Sequence, residues 1–332
     1  MKCITTMAAV ALLGAGWGAP VAAQSWQPSK PVEFVGAAGA GGGTDIFART
    51  VQSIVQKYEL VKQPILVSNK GGGSGAETYV YVKGAQGDAH KLAFGTSNLW
   101  TMPLVAKVAF KHTDFVPVAT MVFDEFLIWT KGDSPYANTK AFIEAAKAAN
   151  PPFKMAGALS KDMDQTLTRI IEKDTGIKMI YIPYKSGGEA SVQLSGGHVE
   201  AHTNNPSESI GHWRAGQVKP MCVFSKERLP AGAKVTATQG WSDIPTCREQ
   251  GLGVDEFRMP RTVALPPGSP AGAAEYWEGI LKKVSETPEW ADYLEKTGQT
   301  GRYMAGADFK AFIEGDEKRT RAIFQEEGWV VN

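Results

Sequence analysis

Apolar residues along this chain alternate between two spacings. Val32-Glu33-Phe34-Val35 reads as a short strand, and Ile46, Phe47, Val51, Ile54 and Val55 then share one face of a helix. Pro64–Val67 is the next strand, a short helix starts at Ser74, and Lys91–Thr96 runs into the turn Gly95-Thr96-Ser97-Asn98. Val116–Val122 and Phe126–Thr130 are two further apolar runs, separated by Phe123-Asp124-Glu125. The alternation then restarts. Asn138 or Thr139 caps a helix that stacks Phe142, Ile143 and Ala146, and a strand follows at Phe153–Gly157. Met163, Leu167, Ile170 and Ile171 line a helix that Gly176 stops. "KMIYIPY", "VEAHT" and "VKPMCVFS" read as strands, with helical pieces at Gly188–Leu194 and Ser207–Arg214. From Pro270 the pattern is helical to the end.

Repeated strand–helix alternation predicts an α/β protein of mainly parallel sheets with helices on both faces. Two such series and a helical C-terminal tail predict two lobes. No low-complexity linker separates them, so the boundaries run through strands or short hinges.

The N-terminus changes the setting. Lys2, the apolar run Met7–Leu13 and Val21-Ala22-Ala23 before Gln24 form a secretory signal peptide over residues 1–23, cleaved after Ala23. The apolar run is far shorter than the roughly 20 residues of a spanning helix. Cys3 lies too far from the cleavage site for a lipoprotein. Lys plus Arg number 35 against 34 Asp plus Glu, which argues against nucleic acid or an anionic membrane surface as partner. In an oxidising compartment Cys222 and Cys247 are a possible disulfide; the alternative is two buried thiols that never meet.

Candidate chemistry concentrates where strands end and helices begin. "GAAGAGGGTD" (residues 36–45), "GTSN" (95–98), "GALSKD" (157–162), "YKSGGE" (184–189) and "TNNPSE" (203–208) are all small and polar. Ligands of open α/β sheets bind beyond the strands' carboxyl ends, where free helix N–H groups favour anions. A nucleotide is excluded on two counts. Gly43 is followed by Thr44-Asp45 rather than by the lysine of a P-loop, and after Gly39-x-Gly41 the third dinucleotide glycine is replaced by Thr44. Asp45 would also repel a phosphate. A small carboxylate held by neutral donors fits better, and tight strand–helix packing accounts for part of the glycine.

The stretches "PVEFVGAAGAGGGTDIFAR", "GTSN", "IPYKSGGEASVQLSGGHVEA" and "ALPPGSPA" resemble the periplasmic substrate-binding proteins of tripartite tricarboxylate transporters, the Bug-type family. The resemblance spans the mature chain in order. It implies a two-lobed Venus-flytrap clamp, the periplasmic-binding-protein fold, that closes on a carboxylated solute and delivers it to membrane subunits. Lobe 1 would comprise residues 24–125 and 257–332, lobe 2 residues 126–256, with strands crossing near Glu125–Phe126 and Glu256–Arg258 and a late helix contact. By the same resemblance, lobe 1 contacts ligand through Ala40, Gly41, Gly42, Gly43, Thr44, Thr96, Ser97 and Asn98. Lobe 2 offers Ser160, Asp162, Lys185 or Ser186, and Asn204 or Asn205.

Three departures from the family pattern matter. Asn204 stands where many members carry an aspartate, which removes a negative charge and suits an anion. "VGAAGAGGG" lacks the proline usual after the first strand, leaving a looser loop. Met259-Pro260-Arg261-Thr262 replaces an aromatic-glycine pair. Arg261 there either clamps a second carboxylate in bidentate fashion or pairs at the surface with Glu256 or Asp255.

Enzymatic readings find little support. His198, Glu200 and His202 do not follow the zinc-protease order, and "GTSNL" lacks the second glycine of a nucleophile elbow. Asp162 and Asp164 read as helix capping. Trp100, Trp129 and Trp213 suit a core better than a ligand-stacking role, which leaves aliphatic and aromatic acids both open. The expected protein is therefore an exported, soluble monomer in the periplasm, not an enzyme, with no metal and no cofactor. Its partners are a small carboxylate and the membrane subunits of a tripartite tricarboxylate transporter. The alternatives are a carboxylate sensor that presents ligand to a membrane receptor and, further off, a secreted hydrolase.

Overall fold

The computed structural model describes residues 26–331, so the leader read over residues 1–23 lies outside the described part. The first strand, β1 (Val32–Gly36), runs into the glycine loop, and α1 (Gly43–Lys57) leaves it. Helix α1 forms because Phe47, Ala48, Val51, Ile54 and Val55 recur at helical spacing, and all are buried. Each of the larger ones contributes about 1.5–3 kcal/mol by leaving water. Then come β2 (Ile65–Asn69), α2 (Ala76–Gly84), β3 (Lys91–Gly95) and α3 (Asn98–Val105).

Strands β4 (Val116–Glu125) and β5 (Leu127–Lys131) are separated by Phe126 alone. The break expected at Phe123-Asp124-Glu125 is not there, because those residues stay paired in the sheet, opposite Pro260, Met259 and Arg258. The second series is α4 (Thr139–Ala148), β6 (Phe153–Ala158), α5 (Met163–Thr175), β7 (Met179–Tyr184), α6 (Gly187–Ser195), β8 (Ala201–Asn204), α7 (Pro206–Arg214) and β9 (Val218–Val223). Asn138 caps α4 by accepting from Ala141 N at 2.9 Å, and Gly176 ends α5 with φ 75°. The chain returns through β10 (Arg258–Leu265) to α8 (Ala273–Ser285), α9 (Pro288–Thr297), β11 (Thr300–Ala305) and α10 (Gly306–Glu326). Strand β11 interrupts the expected all-helical tail. Its sequence, Thr-Gly-Arg-Tyr-Met-Ala, has no apolar run, and it exists by pairing with β4 at the sheet edge.

Two sheets result, ordered β11-β4-β10-β3-β1-β2 and β7-β6-β8-β5-β9. Strand β1 is parallel to β2 and β3, and β6 is parallel to β7 and β8. By contrast β10 is antiparallel to β3 and β4, β11 to β4, and β5 to β8 and β9. The sheets are mixed, which corrects the expectation of mainly parallel ones. The crossovers are the cause: β5 enters the second sheet directly from β4, and β10 comes back from the second lobe, so each joins its sheet reversed.

Helices cover both faces of each sheet. Phe47, Trp277 and Trp290 from α1, α8 and α9 pack on one face of the first sheet, and Tyr79, Leu99 and Phe309 from α2, α3 and α10 on the other. In the second sheet Phe142 and Leu167 oppose Leu194 and Trp213. The tryptophans belong to this packing: the Trp100 indole N–H donates to Asp316 at 2.8 Å, and Trp129 stacks on His202. At the crossing three segments run side by side. Phe224 N donates to Phe126 O at 2.8 Å, and Phe257 N to Phe224 O at 3.1 Å. The late helix contact is present as well, through a 2.7 Å ion pair between Lys173 of α5 and Glu326 of α10.

Cys222 of β9 is bonded to Cys247, with Cα atoms 4.8 Å apart and a sequence separation of 25. A loop of that length restricts the unfolded chain by about 3.5 kcal/mol in the chain-entropy account. The double variant Cys222→Ala/Cys247→Ala should lose stability of that order in urea denaturation. Protein unfolded without reductant should take no alkylating label at either cysteine, and a labelled thiol there would contradict the pairing.

Candidate ligand-binding site

Five strands, β1, β3, β6, β7 and β8, end at one small cavity between the two sheets. Ala37 and Ala38, Thr96 and Asn98, Ala158 and Leu159, Ser186 and Gly187, and Asn205 line it just beyond those ends. The helices that follow, α1, α3, α5, α6 and α7, all begin there. Their free N–H groups and dipoles point positive ends into one small volume. The space is about 30 Å³, room for little more than one water. The lobes are closed.

Closure is made by backbone. Gly39 N donates to Lys185 O at 3.2 Å, and Ser160 N to Ser74 Oγ at 3.2 Å. A Cβ on Gly188 would lie 2.6 Å from Gly41 O, so no larger residue lets the lobes meet there. The glycine loop is not loose despite its missing proline. Gly41 takes φ 74°, and its N–H donates to Asp45 Oδ2 at 3.0 Å. Asp45, at first an argument against phosphate, ties the loop back onto α1.

Arg261 sits at the centre. On β10 it shares the cleft face with Met259, two residues away, as strand geometry requires. It is buried, and its Nε and Nη2 hold Asp124 of β4. Its Nη1 donates to Thr44 Oγ1 at 3.1 Å and Nη2 to Asn205 Oδ1 at 3.2 Å. The pairing with Glu256 or Asp255 does not form: Arg258 takes Glu256 at 2.6 Å, and Arg248 takes Asp255. Gly43 must lack a side chain, because a Cβ would overlap the guanidinium. With Asp124, Thr44 and Asn205 engaged, Arg261 grips a ligand in bidentate fashion only by giving up one of them.

Carboxyl groups form the rest of the wall. Gly43 N, at the start of α1, donates to Glu208 Oε1 of α7 at 2.6 Å. Asp162 and Asp164 are each 5% exposed and line the same space. Asp162 stands at the N-cap of α5 but makes no side-chain capping bond. Burial raises its pKa to about 6, against the pull of the Met163 N–H and Arg261. Burial also raises Glu208 to about 7, opposed by Arg261 and the Gly43 N–H. Asp164 is pushed well up by burial and by its neighbour Glu208.

Of the residues expected at the site, Gly43, Thr44, Thr96, Asn98, Asp162, Ser186, Asn205 and Arg261 line the cavity. The others lie around it. Ala40, Gly41 and Lys185 border an outer groove, and Gly42 packs on Ser186. Ser97 is fully buried, and Ser160 is exposed at the lobe seam. Asn204 is a brace, its Nδ2 donating to Gly187 O at 2.9 Å. Asp164, Glu208, Leu159 and Met259 also line the cavity; Leu159 and Glu208 lie in strand-end loops the sequence singled out, but none of the four was named as a contact. Leu159 carries φ 61° in a turn held by the Tyr181 hydroxyl, which donates to Leu159 O at 2.9 Å. Among the described residues no group of three His, Cys, Asp or Glu is arranged to hold a metal.

Two α/β lobes, strands that cross between them and a cavity ringed by helix N-termini define a periplasmic-type solute-binding protein. A family model described as "Tripartite tricarboxylate transporter family receptor" matches residues 47–329, and the chain belongs to that family. Protein BugT of Bordetella pertussis is 27% identical over 322 residues, covering 95% of this chain and 94% of BugT. A UPF0065 protein of Cupriavidus necator is 24% identical over 326 residues, covering 97% and 94%. Among solved structures, periplasmic binding protein BugD superposes with TM-score 0.83 at 22% identity, covering 91% of this chain and 99% of that one. MatC of Rhodopseudomonas palustris with bound malate gives TM-score 0.76 at 20% identity, covering 89% and 99%. A second R. palustris protein, with adipate, gives 0.79 at 22%, covering 91% and 98%. As a receptor-family member the protein is a solute-binding protein and not an enzyme.

Asp124→Ala should destabilise the fold by about 3–5 kcal/mol in urea denaturation, because it strands a buried guanidinium. A loss under 1 kcal/mol would show the pair to be dispensable. Glu208 carries a pH signature. Its raised pKa means the folded state holds a proton that the unfolded chain has released between about pH 4.5 and 7. Stability then falls as pH rises through that window, by up to about 1.4 kcal/mol per unit. His202, which burial lowers to about 3, acts in the opposite sense below pH 6.5, so the wild type must be compared with Glu208→Gln. The difference in stability should decline from pH 4.5 to 7; a flat difference would mean that Glu208 titrates normally.

Proposed function

We propose that the protein captures a small organic carboxylate in the periplasm by lobe closure and hands it to the membrane subunits of a tripartite tricarboxylate transporter. The observation that carries this reading is the convergence of five helix N-termini and Arg261 on one cavity between the lobes. Such a site offers an anion many fixed donors and few mobile charges, so binding is firm and reversible. The family's receptor role and relatives of the same fold solved with malate and with adipate support the ligand class. Gly43, Thr44, Thr96, Asn98, Ser186, Asn205 and Arg261 are the groups that would meet the carboxylate.

The closed cavity is too small for a diacid, so capture requires an open form. We take the moving bodies to be the segments before Phe126 and after Glu256 on one side, and residues 126–256 on the other. The residues between β4 and β5 and before β10 would absorb the rotation, as hinges do. Closing on a solute then trades the contact between Glu208 and Gly43 for contacts with the ligand.

Thermal unfolding in the presence of succinate, malate, citrate, adipate and benzoate tests the reading. A ligand at 100 times its Kd adds about 2.7 kcal/mol, which raises Tm by roughly 5 °C for a chain of this size. Stabilisation by nucleotides and by none of these acids would overturn it.

A further inference from the structure

Two glycines behind the cavity wall make room for polar side-chain atoms. Gly95 ends β3, and a Cβ there would overlap the Tyr79 hydroxyl. Gly75 takes φ 87°, and a Cβ there would come within 2.6 Å of Asn98 Nδ2 and 2.7 Å of Ala37 O. Asn98 and Ala37 line the cavity; Tyr79 does not. Tyr79 belongs to α2 and is 1% exposed, its ring centroid 5.1 Å from that of Phe110 and 5.9 Å from that of Phe115. Held by that packing, its hydroxyl donates to Asn98 Oδ1 at 2.5 Å. Thr96 N donates to the same oxygen at 3.3 Å, and Asn98 N donates to Thr96 Oγ1 at 3.3 Å.

These bonds choose between the two ways an amide can point. An amide oxygen accepts and an amide nitrogen only donates, so two donors aimed at one atom require that atom to be Oδ1. The opposite turn would set Nδ2 against the Thr96 N–H and take the acceptor away from the Tyr79 proton. Burial, with the charge of Asp162, pushes the Tyr79 pKa far above its ordinary value, so the hydroxyl keeps that proton. An orphaned donor at such depth is costly. Both bonds at the side chain go to Oδ1, which leaves the Nδ2 hydrogens for the cavity that Asn98 lines.

We propose that Tyr79 is a positioning residue of the binding site: it fixes the Asn98 amide so that Nδ2, and not Oδ1, meets the solute's carboxylate. An amide turned the other way would set one acceptor against another and repel the anion. Thr96 N, at 3.3 Å, holds the oxygen loosely, and the phenol adds the short bond. A side chain that never touches the solute thus decides what the turn between β3 and α3 offers it. The two glycines fit the same arrangement, since Gly95 admits the hydroxyl and Gly75 admits the amide nitrogen.

This inference rests on the carboxylate-receptor reading and deepens it. Isothermal titration with the tightest binder among succinate, malate, citrate, adipate and benzoate tests it, on the wild type, Tyr79→Phe, Asn98→Ala and the double variant. Tyr79→Phe keeps the ring and removes the hydroxyl, and should raise Kd about five-fold. Asn98→Ala should raise it at least as much. Once Asn98 is gone, Tyr79→Phe should change Kd by less than about two-fold, because the two residues act as one unit. A Tyr79→Phe protein that binds like the wild type overturns the inference and leaves the carboxylate reading standing. So does a loss as large without Asn98 as with it, since the hydroxyl would then act through packing alone. Asn98→Asp keeps an acceptor for Tyr79 but has no N–H to offer. It should lose at least as much affinity as Asn98→Ala, and wild-type affinity there would overturn the inference even if Tyr79→Phe failed to fold. If none of the acids binds the wild type, both readings fall.

Discussion

A guanidinium buried among strands needs a counter-charge at fixed distance, and much of this structure follows from how Arg261 obtains one. The antiparallel pairing of β10 with β4 sets Arg261 beside Asp124, whose second oxygen is held by Gln299. Taking both ions out of water is expensive, and the remaining N–H groups must be used for the pair to be tolerated. Thr44 and Asn205 use two of the three that Asp124 leaves. Those two residues begin α1 in one lobe and cap α7 in the other, so satisfying one arginine places two helix N-termini at the cavity. Asn205 in turn donates to Glu125 O, at the point where the chain crosses between lobes. Gly43 has no side chain because the guanidinium stands in its place.

Around that pair the cavity is asymmetric. The first lobe presents N–H and hydroxyl groups; the second presents carboxyls as well as helix ends. Burial without full neutralisation raises the pKa values of Asp162 and Glu208 toward neutrality.

Much of the fold was legible in the chain, because helices such as α1 and α5 and strands such as β1 and β6 announce themselves by local periodicity. The same holds for part of the site: strand ends followed by glycine, serine, threonine and asparagine pointed to Gly43, Thr44, Thr96, Asn98, Ser186 and Asn205. The acids were harder to see. Asp162 and Asp164 stand at the start of α5, where capping residues stand, and a capping aspartate and a cavity aspartate look alike until the cavity beside them is known. Glu208 lies in the first turn of α7, an ordinary place for an acid, and only its distance to Gly43 sets it apart. Strand β11 escaped notice because an edge strand with polar residues has no pattern of its own.

The sequence alone determined the alternation of elements, the glycine-bearing turns, the absence of a nucleotide fingerprint and the two cysteines able to pair. These depend on residues close together in the chain, or on residue type. Tertiary structure decided which way the strands run, which partner Arg261 takes and which sign of charge faces the ligand. Residues 124 and 261, or 43 and 208, are too far apart for any periodicity to relate them. They meet only because two crossovers reverse strands between the sheets, and the electrostatics of the cleft is the sum of what those crossovers bring together.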